Sequence, residues 1–259
     1  PYTTLFRSKI CLKIYGSRDE MGKEAAREAA GCIRKLLERE KEINCLFAAA
    51  PSQQEFLAEL CKAKNMEWER INAYHMDEYV GFPVGDPRSF SGFLANHIFG
   101  RLPFKSIHLI NGEQNPAGEA ERYGGLLDAV PLHITFMGIG ENGHIAFNDP
   151  HAADFQDPKT VKIVTLDSLC RMQQVHDGCF DSLEQVPEHA ITVTCPKLIS
   201  AEYIFCIVPS SKKHDAVMDC LTGPIQESCP ASILRGKQNT RMYIDNACAG
   251  EMADPDWRG

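Results

Sequence analysis

Long apolar runs are missing from this chain: no stretch approaches the roughly 18 residues that a membrane-spanning helix requires. Runs of lysine or arginine are missing as well, and the formal charge is −8, so neither a membrane nor a nucleic acid is expected as a partner. Eleven cysteines are present, yet no two stand as Cys-x-x-Cys, which leaves the common zinc and dithiol spacings unfilled. No secretory signal pattern is visible, so these thiols are expected to be reduced and mostly buried in a cytoplasmic protein. Internal repeats, low-complexity tracts and composition breaks that would mark a second domain are also lacking.

What is present is an ordinary globular composition. Of 259 residues, 44% are hydrophobic, enough for one large domain with a sizeable core, expected over 9–259. The segment Pro1–Ser8 is set apart, because it reads as the translation of a common sequencing-adapter sequence and is expected to be non-native.

Strand and helix periodicities alternate along the chain. Strands are predicted at 11–15, 43–49, 71–76, 106–110, 132–137, 161–166, 190–195, 203–208 and 241–244. Helices are predicted at 18–40, 52–64, 90–102, 117–130, 167–175 and 212–221, with Ser52 and Asp167 placed as N-caps. The alternation predicts an α/β protein with helices on both faces of its sheet.

The most informative stretch runs from Phe136-Met137-Gly138-Ile139-Gly140 through Glu141-Asn142-Gly143-His144 to Ile145-Ala146-Phe147-Asn148-Asp149-Pro150. A buried strand that ends in a glycine-rich bend delivers polar side chains to a sheet edge, where α/β proteins place their chemistry. Gly138-x-Gly140-x-x-Gly143 matches the dinucleotide fingerprint in letters only. That fingerprint needs a helix to start at the turn, and Pro150 leaves no room for one. A second strand, 71–76, runs into a loop at Asp77-Glu78-Tyr79-Val80-Gly81.

Together, Met76-Asp77-Glu78-Tyr79-Val80-Gly81 and Gly-Ile-Gly-x-x-Gly-His-Ile-Ala-Phe-Asn-x-Pro resemble the glucosamine-6-phosphate deaminase/isomerase family, which includes 6-phosphogluconolactonase relatives. The resemblance covers nearly the whole chain, from about Ile14 to Ala247. It implies a three-layer αβα sandwich, a modified doubly wound fold with a mostly parallel sheet. It implies a hexosamine phosphate as the small-molecule substrate, with no metal and no organic cofactor. It leaves a homo-oligomer open.

By the same resemblance, Asp77 is the general base that moves a proton between C2 and C1 of the open-chain sugar; Glu78 is expected to be structural. A carboxylate in a dry cleft is suited to that task. His144 is implied to open the sugar ring, as an imidazole titrating near neutrality can. Asp149 stands where relatives usually have a glutamate that orients the histidine. Asn142 stands where most deaminases and lactonases have aspartate, and some relatives acting on galactosamine 6-phosphate have asparagine. It is expected to face the sugar and to select the epimer. His144, Asp149 and His151 also lie close enough in sequence for a metal, which the resemblance does not call for.

The phosphate site is implied at the loop Phe47-Ala48-Ala49-Ala50-Pro51-Ser52-Gln53 and at Lys213, with Lys212 as a near alternative. Relatives have a Thr-Gly-rich loop here, whereas this chain has lost the glycines, and Pro51 has no N–H to offer. Ala49, Ala50, Ser52, Gln53 and Gly143 are expected at the substrate, with the N–H groups of Gln53 and Gln54 available to an anion. Arg171, Gln173 and Gln174 are placed in the same cleft. The rival readings are a 6-phosphogluconolactonase-type hydrolase and a non-catalytic sugar-phosphate-binding protein.

Overall fold

Apolar positions 21, 25, 29, 33 and 36 recur along one face of the first long helix, and that face is buried. Ser17 starts the helix by accepting the Glu20 N–H at 3.2 Å, and Arg39 ends it with charge suited to the helix dipole. The computed structural model describes residues 2–5 and 9–254, the first four as backbone only.

Among the described residues the strands are β1 (Tyr2–Leu5), β2 (Ile10–Tyr15), β3 (Ile43–Phe47), β4 (Ile71–His75), β5 (Asp77–Tyr79), β6 (Ser106–His108), β7 (Ile134–Met137), β8 (Val161–Thr165), β9 (His189–Val193), β10 (Tyr203–Val208) and β11 (Thr240–Asp245). The helices are α1 (Arg18–Arg39), α2 (Gln54–Leu60), α3 (Phe90–Leu94), α4 (Pro116–Asp128), α5 (Ser168–His176), α6 (Cys195–Leu198), α7 (His214–Thr222) and α8 (Asn246–Ala249). The main sheet runs β1-β2-β11-β10-β7-β3-β4-β6, parallel except for β1 against β2. Two apolar cores, one on each side of this sheet, complete a three-layer α/β architecture.

Strand order reverses at β3. The chain proceeds from β3 to β4 and β6 on one side, then returns to β7 and β10 on the other. Ligands of open α/β sheets bind beyond the carboxyl ends of strands at such a switch point. The loops after β3, β4 and β7 therefore meet where chemistry is expected.

Three sequence expectations change. Residues 77–81 are not simply a loop: Met76 donates to Phe47 O and accepts from Val193 N, and β5 then leaves the main sheet to pair antiparallel with β9, beside β8. The predicted helix 90–102 is α3 followed by a π-turn at Ala95–Phe99, with Pro103 just beyond it. Ser52 does not cap a helix; Pro51–Gln53 is a 3₁₀ turn, and the Ser52 hydroxyl accepts from Gln53 Nε2 at 3.2 Å. Asp167 does cap α5, accepting the Cys170 N–H at 2.6 Å. The adapter expectation concerns Pro1–Ser8, of which Pro1 and 6–8 lie outside the described residues.

Candidate active site

One cleft opens at the switch point. Its lining includes Ala49, Ala50, Ser52 and Gln53 after β3, Met76 and Asp77 after β4, and Gly138, Gly140 and His144 after β7. Phe90 and Phe147, stacked with centroids 5.4 Å apart, form an apolar wall. Gln173, Gln174 and Asp177 enter from α5, and Lys213 from the turn before α7.

Asp77 is buried at the first position of β5. Loss of solvent and then the neighbouring Glu78 charge raise its pKa well above the ordinary value. Glu78 points away from the cleft. It accepts from the backbone N–H groups of Tyr79, Phe90 and Ser91 at 3.0, 3.0 and 2.8 Å, which fixes the start of α3 against β5.

The bend after β7 holds a polar relay. Asn142 Oδ1 lies 2.7 Å from His144 Nδ1 and accepts the His144 backbone N–H at 3.1 Å. The Asn142 amide donates to Asp149 Oδ1 at 3.0 Å, and His144 Nδ1 is 3.1 Å from the same oxygen. Asp149 is fully buried, which disfavours its charge. The contacts with His144 and Asn142 outweigh that burial and hold its pKa below the ordinary value. With the amide nitrogen committed to Asp149, the Asn142 oxygen faces His144, so the network assigns the imidazole proton to Nδ1. Nε2 is then the open acceptor. The His144 ring packs over Gly140, where a Cβ would stand 2.1 Å from its Cε1.

Lys213 is buried, and its Nζ has no hydrogen-bond partner among the described residues. Desolvation lowers its pKa, opposed by the Asp177 and Glu141 charges. A buried cation without a partner is costly unless an anion joins it. The lining side chains thus supply a poised carboxylate, an imidazole acceptor and an unsatisfied cation.

The family model for glucosamine-6-phosphate isomerases/6-phosphogluconolactonase matches residues 16–243. The chain belongs to this family. It is 33% identical to the glucosamine-6-phosphate deaminase of Bacillus thuringiensis (strain Al Hakam) over 236 residues, covering 89% of this chain and 88% of that one. The Listeria innocua glucosamine-6-phosphate deaminase is also 33% identical, over 210 residues, covering 80% and 87%. A solved monomeric glucosamine-6-phosphate deaminase superposes with a TM-score of 0.83 at 26% identity, covering 92% of this chain and 98% of that one. The Trypanosoma brucei 6-phosphogluconolactonase shares the fold, with a TM-score of 0.79 at 14% identity over 93% and 98% of the two chains.

Within this family fold, several sequence expectations move. Asn142 and Gly143 do not line the cleft; they stand behind His144, on the side where Asp149 also lies. Gly143 takes φ +83°, which favours glycine, and its carbonyl accepts from Ala231 N, so it shapes the bend. The Gln53 and Gln54 N–H groups are not free for an anion, because the 3₁₀ turn bonds them to Ala50 O and Pro51 O. Lys212 is exposed, leaving Lys213 as the lysine inside. Arg171 stays outside the cleft, donating to Leu183 O and Val186 O at 2.9 and 2.8 Å. His151 turns to Thr165 O at 2.9 Å, away from the His144 ring.

Asp177 escaped the sequence reading. Its signal was helical spacing: it lies four residues beyond Gln173, whose Nε2 is 3.4 Å from Asp177 Oδ2. Phe90 and Met76 carry no polar mark and declare themselves only through the packing.

Proposed function

We propose that this family member converts a 2-amino-2-deoxyhexose 6-phosphate to a ketohexose 6-phosphate and ammonia. The substrate is glucosamine 6-phosphate or an epimer such as galactosamine 6-phosphate. The observation that carries the reading is the convergence of Asp77, His144 and Lys213 on one cleft. The curated deaminase relatives support it. Lys213, the lone unpaired cation in the lining, suits the sugar phosphate. A charge-assisted contact of this kind is worth roughly 1.5–3 kcal/mol.

The chemistry follows from the positions. His144 Nε2 takes the anomeric hydroxyl proton and returns a proton to the ring oxygen, which opens the pyranose. Asp77 then removes the C2 proton to give an enolamine, and a proton returns at C1. The resulting C2 imine adds one water and releases one ammonia, leaving the ketone. Burial makes Asp77 a stronger base than a solvated aspartate, and a bound ammonium would favour its charged form. Asn142 acts on this scheme through His144, so any epimer preference it imposes is indirect. The same reading places the protein in the cytoplasm; among the described residues no helix is long and apolar enough to cross a membrane.

The test is ammonia release and ketose phosphate formation from glucosamine and galactosamine 6-phosphates. Ammonia from either supports the proposal, and the ratio of kcat/KM names the epimer. Hydrolysis of 6-phosphogluconolactone without ammonia from any hexosamine phosphate would replace it with the lactonase reading. Tight binding without turnover would replace it with a binding protein.

A further inference from the structure

The cap of α5 has a second job within reach. Asp167 Oδ1 accepts the Cys170 N–H at 2.6 Å and so starts the helix that carries Gln173, Gln174 and Asp177 into the cleft. Its other oxygen, Oδ2, lies 3.4 Å from Asn142 Nδ2. Asn142 in turn holds His144 Nδ1 at 2.7 Å and Asp149 Oδ1 at 3.0 Å. A helix cap needs only one side-chain oxygen, and serine or asparagine would serve as well. The second carboxylate oxygen is what reaches the bend after β7.

We infer that Asp167 is a positioning residue that places the substrate-lining face of α5 and, through Asn142, the His144 imidazole with one carboxylate. The inference rests on the reading of His144 as the ring-opening group. An asparagine amide can turn over and present either end to a histidine. Asp149 and Asp167 together fix the nitrogen end, since both accept and neither donates when ionised. The Asn142 oxygen is then the end that meets Nδ1, which leaves Nε2 unprotonated toward the cleft.

Other titratable groups face this cluster. His151 Nδ1 is 3.9 Å from Asp167 Oδ2, while Cys170, at the start of α5, brings its sulfur within 4.8 Å of the His144 and Asp149 ligand atoms. The Cys170 thiol is pushed up by burial and then by the Asp149 and Asp167 charges, so it stays protonated. His151 is half-exposed, and when protonated it draws on the oxygen that Asn142 uses.

Asp167→Ser separates the two tasks. It keeps a capping oxygen but is too short to hold Asn142. The expected result is a Tm and a KM close to wild type, with kcat lower by about 3- to 10-fold, as for one modest hydrogen bond. The Nδ1 and Nε2 ¹⁵N chemical shifts of His144 should also move from their wild-type values, as the tautomer is no longer fixed. In an Asn142→Ala background the same substitution should add nothing to the kcat loss. A serine variant with wild-type kcat and wild-type His144 ¹⁵N ring shifts would overturn the inference and leave Asp167 a helix cap only. So would equal kcat losses with and without Asn142. If Asp167→Ser lowers Tm, Asp167→Asn, which also caps, is read by the same ¹⁵N ring shifts. The NMR readout needs no turnover, so it stands even if no hexosamine phosphate proves to be a substrate.

Discussion

Asn142 Oδ1 sits 2.7 Å from His144 Nδ1, and the nitrogen of the same amide faces two carboxylates, Asp149 at 3.0 Å and Asp167 at 3.4 Å. An aspartate at 142 would therefore meet Asp149 and Asp167 as a third negative charge. Asn142→Asp is expected to lower both Tm and kcat at pH 7. The added carboxyl would have a raised pKa in the folded state, so its stability cost grows as pH rises above about 4 and fades as pH falls. Melting curves at pH 5 and pH 7.5 check this. A variant as stable as wild type at pH 7.5, with rising activity, would mean the amide does not donate to these two acids.

Asp77 gives a pH-dependent prediction of the same sign. Its carboxyl pKa is raised by burial and by Glu78, so the folded state keeps its proton where the unfolded chain has lost it. Stability from this group is highest below the ordinary carboxylate pKa of about 4 and is lost as pH rises toward the folded value. Asp77→Asn removes the titration. It should raise Tm at pH 7 relative to wild type, with the difference shrinking toward pH 4. It should also cut kcat by about 10²–10⁴ and abolish exchange of the C2 hydrogen with solvent deuterium. Deuterium uptake at the wild-type rate would remove Asp77 from the role of base.

Much of this was legible in the residues. The buried runs Ile43–Phe47 and Tyr203–Val208 announced central strands, and the Gly138–Gly143 bend announced a sheet edge. The departure of β5 was not legible, because Asp77–Tyr79 pairs with His189–Val193, more than a hundred residues later. Short strands recruited by distant partners leave little local periodicity. For the same reason the sequence could place Asn142 near His144 but not say which way its amide pointed. It could mark two adjacent lysines but not that Lys213 turns inward while Lys212 stays in water.

That inward turn leads to a test of the phosphate site. Lys213→Met keeps most of the length of the side chain and deletes a charge whose Nζ has no partner among the described residues. Because a buried unpaired cation is destabilising, the ligand-free variant should melt no lower than wild type. Inorganic phosphate should stabilise wild type and leave the variant unmoved. KM for the hexosamine phosphate should rise by at least about 10-fold, matching roughly 1.5 kcal/mol of lost charge-assisted bonding. Equal phosphate stabilisation of both proteins would place the anion elsewhere.

Two glycines of the same bend should respond differently to a single added methyl group. At Gly140 a Cβ would stand 2.1, 2.3 and 2.4 Å from three atoms of the His144 ring, closer than any real contact. The ring is tied to Asn142, so it must leave its place for the methyl to fit. At Gly138 the nearest atoms are Gln53 Nε2 at 3.2 Å and Ile207 O at 3.3 Å, which a shift of a few tenths of an ångström would relieve. Gly140→Ala should therefore cut kcat by about 10² or more, the scale of a lost acid–base group, while phosphate still raises Tm through Lys213. Gly138→Ala should keep most of kcat and act on KM, because it disturbs the Ser52–Gln53 corner of the cleft. Measuring kcat, KM and phosphate-dependent Tm for both variants separates the two sites. A Gly140→Ala enzyme with near-wild-type kcat would show that the His144 ring does not need its position over Gly140 for turnover.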